Sequence, residues 1–106
     1  MAAAAYAAAV FRFDAEIWLH DGDAAWHFLT VPKEVSDEIR QRSEGPRRGF
    51  GSVRVRVTIG ESVWSTSVFP DATRDAYVLP VKKEVRRAEG LAAGVRTAVV
   101  LELLEA

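Results

Sequence analysis

The chain has 106 residues, with 14 Lys and Arg against 15 Asp and Glu, which gives a formal net charge of -1. This length fits one domain with one hydrophobic core, and the near-neutral charge excludes binding to nucleic acid or an anionic membrane through bulk charge alone. There is no cysteine, which excludes disulfides, thiolate metal sites and cysteine nucleophiles. The composition fits a reducing compartment, so we expect a cytoplasmic protein.

The alanine-rich start of the chain, residues 1–9, is predicted to be a frayed tail before a single domain over residues 10–106. It lacks the basic region and the leucine-rich centre of a signal peptide. It is also too short to span a bilayer, and no later stretch is apolar enough to do so.

The first half of the chain predicts two strands and a helix. Apolar and polar residues alternate over Phe11–Leu19, which is typical of a half-buried strand. An aromatic and β-branched run predicts a second strand over Trp26–Val31. A short amphipathic helix is predicted to open at Pro32, because proline needs no N–H donor partner in the first turn. Glycine and proline then predict a loop over Ser43–Gly51.

The clearest strand is Val53–Ile59, in which valine and isoleucine alternate with arginine and threonine. Gly60 begins a turn, and a returning strand over Val63–Phe69 completes a hairpin. The polar residues of Pro70–Ala76 predict a loop.

The remaining elements are a short strand over Tyr77–Leu79, a helix from Pro80 through Glu89, and a last strand over Val95–Leu104. Gly90 follows the helix at a position where glycine often ends helices. The last strand is apolar on both faces, which predicts cover on both sides or an interface. We therefore expect a homodimer through this strand.

The order strand, strand, helix, strand is predicted twice. Residues 31–35 (V-P-K-E-V) resemble residues 79–85 (L-P-V-K-K-E-V) when an insertion is allowed after the proline. A duplicated ββαβ unit can close into a six-stranded barrel, which removes exposed strand edges. The predicted fold is therefore mostly β: a small closed six-stranded barrel with two short helices. Chance recurrence of helix-start chemistry is the alternative explanation of the similarity.

Several segments together resemble one known family. They are F-x-F-x-A-x-I, V-P after an aromatic strand, V-R-V-x-V-T-I-G, W-S-T-S-V-F-P, Y-V-L-P-V-K-K-E-V-R and G-V-x-x-A-V-V-L-E-L, in that order from Phe11 to the C-terminus. The chain resembles the prokaryotic domain-of-unknown-function family numbered nineteen-oh-five.

The resemblance implies a double-split β-barrel, a fold class shared with AbrB-like transition-state regulators. It also implies relatives joined to an OmpD-associated domain of the bacteriocin-protection type. The family usually has Gly-Asp before its last strand, whereas this chain has Gly94-Val95, so any role of that aspartate is lost or moved. The family defines no catalytic residue that could be transferred.

Three candidate sites of familiar chemistry are disfavoured. His20, Asp21, Asp23 and His27 could bind a metal ion, but their spacing fits no known motif and D-G-D is ordinary turn chemistry. Hydroxyls at residues 65–67 lack a nucleophile elbow, so they are better explained by packing on a sheet. The glycines and arginines of residues 45–51 lack the lysine and following helix of a phosphate-binding loop. We therefore predict no metal and no cofactor.

Three tryptophans are many for so small a domain. Trp26 opens an apolar strand and is predicted to pack in the core. Trp18 lies on the polar face of the first strand, where its ring could stack on a ligand or be covered by a helix. Trp64 is a further candidate for ligand contact.

Basic residues form the main candidate binding site. Arg54 and Arg56 share one strand face, and four cations crowd the second helix: Lys82, Lys83, Arg86 and Arg87. Brought together, the two groups could bind phosphate or carboxylate. The alternative is neutralisation by neighbouring glutamates as ordinary surface pairs.

The sequence favours a non-catalytic module that binds a partner protein, a small ligand or an anion. One alternative is an AbrB-like nucleic-acid-binding regulator, although fold analogy is weak support for function. A second alternative is an enzyme that uses a barrel pocket with His20 or His27 as acid or base.

Overall fold

The computed structural model describes residues 9–20, 22, 25–43 and 51–104. Six antiparallel strands close into a barrel in the order β1-β2-β5-β4-β3-β6. The elements are β1 (Val10–Leu19), β2 (His27–Thr30), α1 (Lys33–Arg42), β3 (Val53–Ile59), β4 (Ser62–Asp71), β5 (Ala76–Pro80), α2 (Lys83–Glu89) and β6 (Arg96–Leu103). The predicted mostly β barrel with two short helices is confirmed.

The interior of the barrel follows the alternation in the sequence, because successive side chains of a strand point to opposite faces. In β3, Val55, Val57 and Ile59 are buried while Arg54 and Arg56 are exposed. The predicted bounds of β3 agree with the structure. Long-range contacts between strands that are distant in sequence therefore build one continuous core.

Two proline-containing boundaries differ from their predictions. Pro70, expected in a loop, lies inside β4 and pairs with Tyr77. Pro80, expected to open the second helix, ends β5 opposite Phe28. The backbone N–H of Val81 then donates to the carbonyl of His27 at 2.9 Å. That bond to β2 keeps the chain extended past Pro80, so α2 begins only at Lys83.

The C-terminal end of α2 is fixed against the turn between β3 and β4. The carboxylate of Glu89 accepts hydrogen bonds from the Ser62 hydroxyl at 2.7 Å and the Glu61 backbone N–H at 3.3 Å. Gly60 has φ +58°, and a Cβ there would displace this carboxylate. Gly90 ends the helix in the left-handed conformation, as predicted.

Two matching hydrogen bonds indicate which residues of the two halves of the chain correspond, and this correspondence needs no inserted residue. The N–H of Val31 donates to Tyr77 and that of Val81 donates to His27, both at 2.9 Å, between β2 and β5. Val31 thus corresponds to Val81, and V-P-K-E-V aligns with V-K-K-E-V with no gap. The predicted alignment, which matched Pro32 with Pro80 and inserted one residue after the proline, is therefore wrong. The duplication that it was meant to support stays a prediction.

The last strand, β6, is hydrogen-bonded on both edges, to β1 and to β3. Its outward residues are mixed in character, with Arg96, Ala98, Val100 and Glu102 in sequence. A homodimer through β6 would therefore have to use this outer face, since neither edge is available for strand pairing. The homodimer stays a prediction.

Candidate functional site

The barrel has two long strands that each change partner along their length. β1 pairs with β6 through Val10–Glu16 and with β2 through Ile17–Leu19. β4 pairs with β3 from its start at Ser62 to Val68 and with β5 through Phe69–Asp71. Where a strand leaves one partner for the next, the wall of the barrel is split. Such a split must be filled by side chains or remain open to ligands.

On the α1 side, a serine and a tyrosine are tightly packed. Ser36 is fully buried, and its hydroxyl donates to the carbonyl of Val31 at 3.1 Å. The same oxygen accepts the backbone N–H of Tyr77 at 3.0 Å. Tyr77 itself is only 1% exposed. The buried side chains of Ser36 and Tyr77 therefore fill the space beside α1.

On the α2 side there is a cleft with a volume of about 390 Å³. It lies where Trp64 and its neighbours on β4 are paired only with β3, facing the start of β2 and the segment that leads into α2. We call it the α2 cleft. Its polar and aromatic lining residues are Trp26, His27, Trp64, Ser65, Thr66, Lys82 and Arg86.

Arg86 occupies the position that corresponds to Ser36. Its Nε donates to the carbonyl of Val81 at 3.1 Å, as the Ser36 hydroxyl donates to that of Val31. One side of the guanidinium is thereby held by the backbone, while the side chain remains half-buried at the cleft. No hydrogen bond of the other guanidinium nitrogens is found among the described residues, and they can donate to a further acceptor.

The cations of the two helices differ in their partners. All three basic residues of α1 are in ion pairs: Lys33 with Asp37 and Asp75, Arg40 with the same two carboxylates, and Arg42 with Glu38. Within the part of the chain that the structure describes, no ion pair involves Lys82, Lys83, Arg86 or Arg87. On α1, a glutamate neutralises Arg42, whereas Lys33 and Arg40 pair with aspartates. On α2, Glu89 contacts Ser62.

The structure brings together only some of the predicted site residues. Lys82, Arg86 and Trp64 line the α2 cleft. Arg54 and Arg56 lie on the outer face of β3 and are not part of its lining. Arg56 pairs with Glu102 at 3.1 Å, and Arg54 donates to Ser67 at 3.4 Å. Lys83 and Arg87 are exposed on α2 outside the lining.

Trp18 belongs to an aromatic stack on the outer face of β1 and β2. Its ring stacks on Phe28 at 5.1 Å, and its Nε1 donates to Thr30 at 2.9 Å. The guanidinium of Arg74 lies 3.9 Å from the Trp18 ring centre. Phe28 also stacks on Trp26, with ring centres 6.1 Å apart. Trp18 is thus covered by Phe28 and Arg74, and not by a helix.

Arg74 is held in this stack by Asp71, whose carboxylate pairs with it at 2.9 Å. Burial acts to raise the pKa of Asp71, but hydrogen bonds from the backbone and side chain of Arg74 lower that pKa below its ordinary value. Asp71 also accepts the backbone N–H of Thr73 and so organises the turn.

The prediction that Trp26 packs in the core is wrong. Trp26 precedes β2 and is 54% exposed. Its neighbour His27 shares the inward face with Leu29, so Trp26 points outward with Phe28. Sequence reasoning therefore missed Trp26 and undervalued His27 as residues of the cleft. The available signal was their position shortly after D-G-D, a sequence that predicts a turn.

The other candidate chemistries are only partly covered by the structure. Asp21 and Asp23, two of the four proposed metal ligands, and residues 44–50 of the glycine-rich loop lie outside the described residues. Among those described, no group of three His, Asp or Glu side chains is placed to hold a metal ion. His27 lines the cleft with its Nδ1 3.0 Å from the Ala25 carbonyl oxygen. His20 instead lies edge-on to Phe28.

Over the described ranges, neither helix has the length and apolar character needed to cross a bilayer. No curated protein matches the sequence. The model of one family, described as Domain of unknown function (DUF1905), matches residues 13–101. That range begins in β1, ends in β6 and includes the whole α2 cleft. The chain belongs to the DUF1905 family.

Proposed function

We propose that this domain is a non-catalytic binding module and that the α2 cleft is its site for a small anion. The observation that carries the proposal is a pair of cations, Lys82 and Arg86, that line the cleft and have no acidic partner among the described residues. Lys33 and Arg56, by contrast, have carboxylate partners. Arg12, Arg54 and Arg96 have no ion pair within the described ranges, but they lie outside the lining of the cleft.

The chemistry of these side chains fits phosphate or carboxylate. A guanidinium forms paired hydrogen bonds with such groups, and a lysine adds charge with less demand on geometry. Because Arg86 is already tethered to Val81, less side-chain freedom is lost when it binds an anion. The hydroxyl of Thr66, which also lines the cleft, can donate a further hydrogen bond.

Two other functions compete with this proposal. An AbrB-like regulator would use the basic residues on duplex DNA, with strong salt dependence through counterion release. An enzyme would use His27 as acid or base, since this residue lines the cleft with Ser65 and Thr66. A hydroxyl nucleophile needs a hydrogen bond to its base, and none between His27 and either hydroxyl is found among the described residues.

The test is a calorimetric titration of the full chain with ribose 5-phosphate and with duplex DNA at two salt concentrations. The double variant Lys82→Gln with Arg86→Gln should weaken ribose 5-phosphate binding at least about tenfold. The matched control is Lys83→Gln with Arg87→Gln, which removes the same charge from the same helix outside the cleft. We expect the control to stay within about twofold of wild type.

Equal losses in the two double variants would mean that overall charge, and not the cleft, attracts the anion. Absence of ribose 5-phosphate binding in the wild type would also contradict the proposal. Tight, salt-sensitive binding of duplex DNA that both variants weaken would favour the regulator.

A further inference from the structure

We infer that the anion bound in the α2 cleft carries a flat aromatic ring, which stacks on the exposed indole of Trp26. This inference rests on the proposed function and specifies its ligand class. The simplest molecules of this class are aromatic phosphates and aromatic carboxylates, of which a nucleoside monophosphate is one example.

Trp26 is 54% exposed although it is one of the largest apolar side chains in the chain. It does not collapse into the cleft, because it is held in the outer aromatic stack by Phe28, with an angle of 15° between the ring planes. Phe28 is in turn held by Trp18, and Trp18 by Arg74. The stack therefore ends at a ring that lines the cleft.

A second indole lines the same cleft from another element. Trp64 lies on β4, opposite Val57 of β3, and its half-buried ring packs against the barrel core. Two indoles fixed independently by their own neighbours form a preorganised apolar lining, which reduces the ordering cost of binding. Aromatic rings are the ligands that such surfaces favour, because offset stacking adds to the burial of apolar area.

The cations lie in the lining of the same cleft, so ring and anion can be bound at once. Lys82 and Arg86 line it together with Trp26 and Trp64. The volume of about 390 Å³ falls within the usual range for small-molecule sites. A ligand with an anionic group and one flat ring would satisfy both kinds of side chain, whereas a simple anion would leave the indoles exposed.

The test compares three probes that separate the two parts of the ligand. AMP carries both the ring and the phosphate, ribose 5-phosphate carries only the anion, and adenosine carries only the ring. We expect AMP to bind the full chain about tenfold to a hundredfold more tightly than ribose 5-phosphate, the factor typical of one stacked base. Adenosine should also bind more weakly than AMP.

The variant Trp26→Ala should remove most of the preference for AMP over ribose 5-phosphate, measured as the ratio of their two dissociation constants. Trp26→Phe should retain most of the AMP affinity, because it keeps a ring at this position. Trp26 is exposed and precedes β2, so both variants should keep the wild-type circular dichroism spectrum. An indole fluorescence change on AMP binding in the wild type, reduced in Trp26→Ala, would support the contact.

Failure of this inference is distinguishable from failure of the proposed function. If ribose 5-phosphate binds through Lys82 and Arg86 but AMP binds no more tightly, the ring is not recognised and only this inference falls. If Trp26→Ala weakens both probes equally, its role is structural and the inference also falls. If no phosphate-bearing probe binds, both fall. Affinity for single-stranded oligonucleotides that rises steeply with strand length would replace the small molecule with nucleic acid.

Discussion

The two helices of this barrel each follow a short strand and begin with related sequences, yet the surfaces beside them differ. Beside α1, the Ser36 hydroxyl links two backbone segments in a fully buried position. Beside α2, Arg86 donates to the corresponding carbonyl, and a cleft lies next to it. The corresponding residues of β2 and β5 differ in the same way, since Tyr77 is buried and His27 lines the cleft.

The difference shows how one backbone arrangement can produce a packed side and an open side. A serine is small enough to be enclosed with both of its hydrogen bonds satisfied. A guanidinium is costly to bury without an acidic partner, so it remains at an opening where water or an anion can reach it. The charged residues follow the same division, because the cations of α1 have acidic partners and those of α2 have none among the described residues.

Of the changes that test this comparison, replacement of Ser36 should have the largest effect on the free energy of unfolding. Ser36→Ala leaves the buried N–H of Tyr77 and the carbonyl of Val31 without this partner, and each unsatisfied buried group costs about 1–3 kcal/mol. We expect a loss of about 2–4 kcal/mol in the free energy of unfolding, measured by urea denaturation. Arg86→Ala, the matched change beside α2, should cost less than about 1 kcal/mol, because Arg86 is half-buried and its hydrogen bond to the Val81 carbonyl is only partly buried. Equal losses would show that the two sides are not packed differently.

Gly60→Ala should have an intermediate effect and tests how α2 is held. The change places a side chain at φ +58° and against the carboxylate of Glu89. We expect destabilisation of about 1–3 kcal/mol from backbone strain and displacement of the Glu89 contacts. In a Glu89→Ala background the same change should cost less, since only the backbone strain remains. A double-mutant cycle from thermal unfolding measures the coupling, and its absence would mean that Glu89 does not fix the end of α2.

The smallest expected effect is the pH dependence of the ion pairs around α1. The hydrogen bond from Lys33 lowers the pKa of Asp37 and outweighs the opposing effect of burial. The stability that Asp37 contributes is therefore present above the pKa of the unfolded carboxyl group. It is lost as the pH falls through the lower folded value. The same bond raises the pKa of Lys33, whose contribution is lost only as the pH rises through that raised value.

Urea denaturation of wild type and Asp37→Asn between pH 7 and pH about 2.5 should thus give two curves that converge on the acid side. Glu84→Gln on α2 is the control, because Glu84 has no ion pair within the described ranges, and its curve should run parallel to that of wild type. A constant separation between wild type and Asp37→Asn down to the lowest pH would contradict the assigned pair.

The sequence by itself determined the elements whose signal is local. Alternation of valine with arginine gave the bounds and the buried face of β3, since side chains of a strand point alternately to its two faces. Gly90 correctly marked the end of α2, because glycine adopts the left-handed conformation without steric cost. The order of strands and helices and the family motifs were sufficient for a closed six-stranded barrel and for membership of the DUF1905 family.

Only the tertiary structure decided which side chains meet. Lys82 and Arg86 were predictable as cations on one helix, but their place beside Trp26 and Trp64 depends on where β4 leaves β3 for β5. The extended path past Pro80 follows from the hydrogen bond between Val81 and His27, which joins residues far apart in the chain. Such registers are set by the packing of the whole barrel. A local pattern can therefore predict a strand and its buried face, but not the partner that its side chains will contact.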